Sequence, residues 1–159
     1  MKDTAELFAS LDALKARLDA HRPLPADIVS QIRQDMRIRF TYHSNAIEGN
    51  TLTMSETKAV LEDGITIGGK SLREHLEAVG HSQAIDYLEV LAQGDAALTE
   101  RTLKDFHSLI LRNIDGANAG TYRRVNVLIS GAGHIPPQAE SVPEKMEAFF
   151  RWYGAARGA

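Results

Sequence analysis

The chain contains no cysteine, and that single absence excludes disulfides, thiol nucleophiles and cysteine-based zinc sites together. It suits a reducing compartment. Charge of one sign is also missing: 18 Lys and Arg stand against 21 Asp and Glu, a formal net charge of -3, so there is no basic field of the kind that dominates nucleic-acid affinity. No nucleic-acid partner is expected. The opening Met1-Lys2-Asp3-Thr4-Ala5-Glu6 has no apolar signal core, and no spanning segment is found. A soluble, cytoplasmic protein with no membrane contact is the expectation. No internal repeat occurs, and 159 residues with 43% hydrophobic content are long enough for one ordinary core and one domain.

What the sequence does have is helical periodicity. Leu7, Leu11, Leu14 and Leu18 recur at spacings of four, three and four, which predicts one stripe of a helix running to about His21. Arg22-Pro23-Leu24-Pro25 breaks it. Asp27 is placed to cap a second helix with an apolar stripe of Ile28, Ile32, Met36 and Phe40, and Gly49-Asn50 supplies its stop. Thr53-x-x-Glu56, Ser71-x-x-Glu74 and Ser141-x-x-Glu144 have capping-box spacing and mark three further helix starts. Between the first two, Asp63-Gly64 and Gly68-Gly69 enclose Ile65-Thr66-Ile67, enough for a turn with a scrap of strand.

The helix from Ser71 should reach about Ala92, and Thr99 should start another that bears Leu103, Phe106, Leu109 and Ile110 and ends near Asn113, before the turn-rich 115–120. There the period changes. Val125, Val127 and Ile129 alternate with other residues ahead of Ser130-Gly131-Ala132-Gly133, a pattern that predicts a small β-hairpin or flap, and Pro136-Pro137 bars an immediate helix. A last helix carries Met146, Phe149, Phe150 and Trp152. Residues 154–159 read as a featureless tail.

On residue chemistry alone the candidates are modest. Glu48 before glycine is ordinarily a solvated carboxylate. Ser44 lies one helical turn before it on the same face, where its hydroxyl can orient a phosphate-site loop or back-bond to a carbonyl. Gly131 and Gly133 can bring backbone amides toward phosphate, a weak signal by itself. The six histidines, His21, His43, His75, His81, His107 and His134, form no recognised ligand pair such as H-E-x-x-H, so no metal site is expected.

Combination sharpens this reading. Ser44, three residues, Glu48 and Gly49 spell [S/T]-x-x-x-E-[G/N], which runs into a first block, Ala46-Ile47-Glu48-Gly49-Asn50-Thr51-Leu52-Thr53, and three further blocks follow in order: Gly69-Lys70-Ser71-Leu72-Arg73-Glu74, Gly120-Thr121-Tyr122-Arg123, and His134-Ile135-Pro136-Pro137 with Val142-Pro143. The ordered set resembles the Fic-domain protein adenylyltransferase family, in the subgroup whose inhibitory helix precedes the core. The resemblance covers about Tyr42 to Tyr153. It implies a mostly α, Fic-type helical fold with a small β-hairpin flap, an N-terminal helical region over 1–41, the front part of a Fic domain over 42–153, and the tail.

By the same resemblance, Ser44, Glu48 and Gly49 are inhibitory residues, and Glu48 pairs with a catalytic-loop arginine that the ATP γ-phosphate also seeks. Ile129, Ser130, Gly131, Ala132, Gly133 and His134 become a flap near the nucleotide, with Arg123 bracing it. The family's catalytic signature, H-x-F-x-[D/E]-G-N-G-R-x-x-R, occurs nowhere in these residues, so no catalytic residue is assigned and the fold is expected to stop short of the catalytic loop. An intact relative uses ATP and Mg²⁺ to transfer AMP to a Ser, Thr or Tyr hydroxyl of a protein. This chain alone should be inactive, bind neither tightly, and self-associate through uncovered apolar faces. The alternative is a regulatory protein that supplies its glutamate-bearing helix in trans to another Fic protein.

Overall fold

The structure, a computed structural model, describes residues 3–94 and 97–157. Six helices follow one another: α1 (Thr4–Asp19), α2 (Ala26–Ile47), α3 (Met54–Glu62), α4 (Leu72–Ala92), α5 (Glu100–Leu111) and α6 (Val142–Arg157), the last entered through a 3-10 turn at Ala139–Ser141. No strand occurs among the described residues, and none of the described helices is long and apolar enough to cross a membrane.

The chain divides between Met36 and Arg37 into two compact units. In the first, Leu7, Leu11, Leu14 and Leu18 remain exposed, and α1 buries none of its residues. That helix ends at Asp19 rather than His21. Asp27 lies in the first turn of α2 instead of at its cap, because the helix already starts at Ala26.

The second unit is organised around α4, which packs against α3 and α5, with α5 touching α6 in turn. Leu52, Val60 and Ala78 form its buried apolar cluster, joined by the partly buried Ile67 and Val79. Where α4 meets α5 the backbones come so close that a Cβ added to Gly80 would sit 2.8 Å from the Ile110 carbonyl oxygen. Only glycine fits there. From Arg37 to Asn50 the chain runs antiparallel to α4: Arg37 reaches Asp86, Thr41 meets His81, and Asn50 meets Glu74. Successive partners on α4 descend as those on the first segment ascend.

Capping boxes form at Thr53 with Glu56 and at Ser71 with Glu74, and Thr99 caps α5 by accepting from the Thr102 amide. The box expected at Ser141 does not form, since Ser141 belongs to the 3-10 turn and its hydroxyl donates to the Gln138 carbonyl. Residues 154–157 continue α6 instead of forming a tail, while Gly158 and Ala159 lie outside the described residues. Ile65-Thr66-Ile67 is a loop without strand, held by the Ile67 amide donating to His75 Nε2.

The expected β-hairpin is absent. Its turn exists, with Gly131 at φ 77° and the Ala132 amide donating to the Ile129 carbonyl at 3.2 Å, but the arms form no ladder. Alternation of Val125, Val127 and Ile129 requires a partner strand, and the returning arm leads directly into Pro136-Pro137, which have no amide hydrogen to donate. Leu128 and Ile135 stay exposed. Side chains close the base of the loop instead: Asn126 Oδ1 accepts from the Ala139 amide at 2.8 Å, and Arg123 donates to the Val125 and Pro137 carbonyls.

Candidate functional site

The Ser44 to Gly49 motif occupies the last turn of α2 and its exit. Two backbone bonds close the helix, from the Asn50 amide to the Asn45 carbonyl at 3.0 Å and from the Gly49 amide to the Ala46 carbonyl at 3.1 Å. Together with φ 93° at Gly49 they make a Schellman termination, in which the left-handed position strongly favours glycine. Glu48 therefore stands at the C-cap, at the rim of the helix. Its carboxylate is exposed and makes no hydrogen bond or ion pair among the described residues. Ser44, one turn earlier, is half-buried.

Immediately beyond, the chain is fastened to the start of α4. Asn50 is buried; its amide nitrogen donates to the Glu74 carbonyl at 3.0 Å and to Glu77 Oε2 at 3.1 Å, while its Oδ1 accepts from the Leu52 amide at 3.0 Å. Thr51 donates from both its amide, at 2.9 Å, and its hydroxyl, at 2.6 Å, to Glu74 Oε1. The other Glu74 oxygen closes the α4 capping box. These donors, the Thr51 hydroxyl first and the Ser71 amide next, hold the Glu74 carboxyl down at about 2. Lys70 adds a cation to the corner, donating to the Thr51 carbonyl at 2.5 Å and lying 3.9 Å from Glu56.

A second polar cluster ties the middle of α2 to α4. Thr41 is fully buried, with its hydroxyl 3.1 Å from His81 Nδ1, and the Phe40 ring lies beside the imidazole. Burial pushes the His81 pKa below its ordinary value. One turn away, Arg37 Nη1 donates to both Asp86 oxygens, at 3.1 and 3.2 Å.

The loop residues lie elsewhere. Ile129, Ser130, Gly131, Ala132, Gly133 and His134 are all exposed, and no hydrogen bond or ion pair among the described residues joins them to Ser44, Glu48 or Gly49. Gly120 is pressed onto α5: φ is 71°, its amide donates to His107 Nδ1 at 3.0 Å, and an added Cβ would meet the Lys104 carbonyl and Ser108 Cβ at 3.2 Å. An open cleft of about 680 Å³ lies nearby, with walls from Leu103, Leu111, Val125, Val142 and Met146 and with Arg124 among its polar residues.

Of the histidines, His75 has the clearest structural duty. Nδ1 donates to the Ser71 carbonyl at 2.7 Å and Nε2 accepts from the Ile67 amide at 2.8 Å, an arrangement that requires the neutral ring. Among the described residues no group of three or more His, Asp or Glu side chains is arranged to hold a metal ion.

The blocks picked out along the sequence meet in pairs. Thr51 of the first meets Glu74 of the second, and Arg123 of the third meets Pro137 of the fourth. A protein adenylyltransferase Fic from Nematostella vectensis is 34% identical over 145 residues, which take in 89% of this chain and 34% of that protein. The solved Fic-domain-containing signaling protein of Bacteroides thetaiotaomicron superposes with a TM-score of 0.80 at 27% identity, over 92% of this chain and 57% of that one.

The chain belongs to the Fic-domain protein adenylyltransferase family.

This Fic chain is also 30% identical to the protein adenylyltransferase Fic of Drosophila melanogaster over 94% of its own length and 31% of the relative's. Fic-1 from C. elegans matches with a TM-score of 0.69 at 29% identity, covering 94% and 46% of the two chains. The Fic chain thus spans about a third of the length of the curated relatives it matches. No family model matches it.

Sequence reasoning missed Asn50 as a site residue and saw only half of Glu74. The capping spacing of Ser71-x-x-Glu74 is legible, but the bond from Thr51 spans 23 positions and has no local signature. The ordered recurrence of the two blocks was the available signal.

Proposed function

We propose that the Fic chain is part of an enzyme that transfers AMP from ATP to a hydroxyl of a protein, and that Glu48 is its inhibitory carboxylate. The observation that carries this reading is the placement of Glu48: at the C-cap of α2, exposed, with no partner of its own among the described residues. A carboxylate so presented can engage an arginine from a catalytic loop. Because the ATP γ-phosphate seeks the same guanidinium, the contact excludes the nucleotide pose in which the α-phosphate lies in line for attack.

Within this reading Arg123 braces the loop over 125–137, whose exposed Ile129 to His134 segment lies along the nucleotide and the target chain. The H-x-F-x-[D/E]-G-N-G-R pattern is not among these residues, so the 159-residue chain by itself is proposed to be inactive. We place the protein in the cytoplasm, consistent with its freedom from cysteine.

The test has two arms. The purified chain should transfer no label from ATP. In a longer Fic polypeptide that carries these residues together with the catalytic pattern, Glu48→Gly should raise auto-modification about ten- to hundredfold, the range that follows from losing a charge-assisted contact of roughly 1.5–3 kcal/mol. Glu48→Asp should release less, since a shortened carboxylate still approaches the arginine. Unchanged transfer in Glu48→Gly would remove the inhibitory role.

A further inference from the structure

A carboxylate with no hydrogen bond or ion pair among the described residues is aimed by the backbone beneath it. Glu48 sits on a turn fixed on one side by the Schellman bonds to Asn45 and Ala46. On the other side the Asn50 side chain is engaged through both of its ends with the chain that follows: its nitrogen donates to Glu74 and Glu77, and its oxygen accepts from the Leu52 amide. Leu52 belongs to the buried cluster with Val60 and Ala78. Glu74 then holds Thr51 through one oxygen and caps α4 through the other. Asn50, two residues beyond Glu48, therefore ties this turn by hydrogen bonds to the Leu52 backbone and to the first turns of α4.

We propose that Asn50 and Glu74 are positioning residues that hold Glu48 at a fixed place on the α4 corner. The proposal rests on the inhibitory reading of Glu48 and extends it to how the inhibitory end of α2 is anchored. It also identifies where that end is released. The contacts securing it are polar, and they exchange readily with water once one partner is removed. Loss of Asn50 frees the turn while the α3 and α4 caps, in which it takes no part, stay intact.

The chain's lack of cysteine permits two clean spin labels, at Ile47→Cys and Leu72→Cys, positions that are 83% and 69% exposed. The distance between them should have a narrow distribution in the parent chain and a clearly broader one in Asn50→Ala. Gly80→Ala serves as a control, because it disturbs the α4 and α5 crossing and should leave this distance alone. If Asn50→Ala fails to fold, Asn50→Asp replaces it: the acceptor for Leu52 is kept, but a carboxylate now faces Glu77. Adding Glu77→Gln restores a donor to that pair and should narrow the distribution again. An unchanged distribution in the Asn50 variant overturns the proposal.

In the longer polypeptide, AMP transfer by Asn50→Ala should rise about tenfold, and adding Glu48→Gly should raise it little further. A broadened distance with a response to Glu48→Gly but none to Asn50→Ala also overturns the positioning role. A broadened distance with no response to Glu48→Gly supports the clasp and refutes the inhibitory reading, so the two failures are distinct.

Discussion

Replacing Gly80 by alanine asks whether the α4 and α5 crossing is as tight as its geometry shows. In an isolated helix the change is favourable, because alanine exceeds glycine in helix propensity by about 0.8–1.0 kcal/mol. Here the new Cβ would lie 2.8 Å from the Ile110 oxygen and 3.0 Å from the Leu109 oxygen. Both obstacles are backbone carbonyls near the end of α5, so no rotamer change relieves the contact and the helices must separate. Overpacking of that kind costs roughly 1–3 kcal/mol, and more where backbone must move. The net expectation is a loss of about 1–2 kcal/mol, or a fall of roughly 3–8 °C in the melting midpoint for a unit of this size. Circular dichroism at 222 nm, with urea melts of parent and variant side by side, measures it. A midpoint that rises, as propensity alone requires, would show that the two helices do not approach this closely.

Gly120→Ala should also destabilise, by about 1–2 kcal/mol, since φ is 71° and the added carbon meets the Lys104 carbonyl and Ser108 Cβ at 3.2 Å; a denaturant midpoint equal to the parent's would contradict it. Two groups predict pH dependence. His81 has a folded pKa lowered from 6.5 by burial, so its contribution is fully present above 6.5 and is lost as pH falls from there through the folded value. His81→Gln should flatten melting temperature against pH in that window, and equal slopes would refute the assignment. The Glu74 carboxyl is lowered from 4.5 to about 2, so its contribution is present above 4.5 and lost as pH falls through 2; Glu74→Gln should remove that acid-side dependence, read from amide exchange at Thr51.

Sequence alone determined the helices and most of their ends. Capping of α3, α4 and α5 depends on Thr53, Ser71 and Thr99 bonding to amides three residues away, and the α2 stop depends on Gly49 adopting φ 93°. Such interactions close within one turn of chain and carry a residue pattern. The ordered blocks that carry the family resemblance are likewise a property of the sequence itself. Tertiary structure decided the rest. The alternation at Val125, Val127 and Ile129 predicted a hairpin, yet a strand needs a partner, and Pro136-Pro137 cut the returning arm short by removing two successive donors. The leucine stripe of α1 was visible as a pattern, but periodicity says which residues share a face and not whether anything covers it. Asn50, Thr51 and Glu74 gain their roles only where α4 returns beside the end of α2, because a hydrogen bond across some two dozen residues is a property of the packed chain and of no local segment.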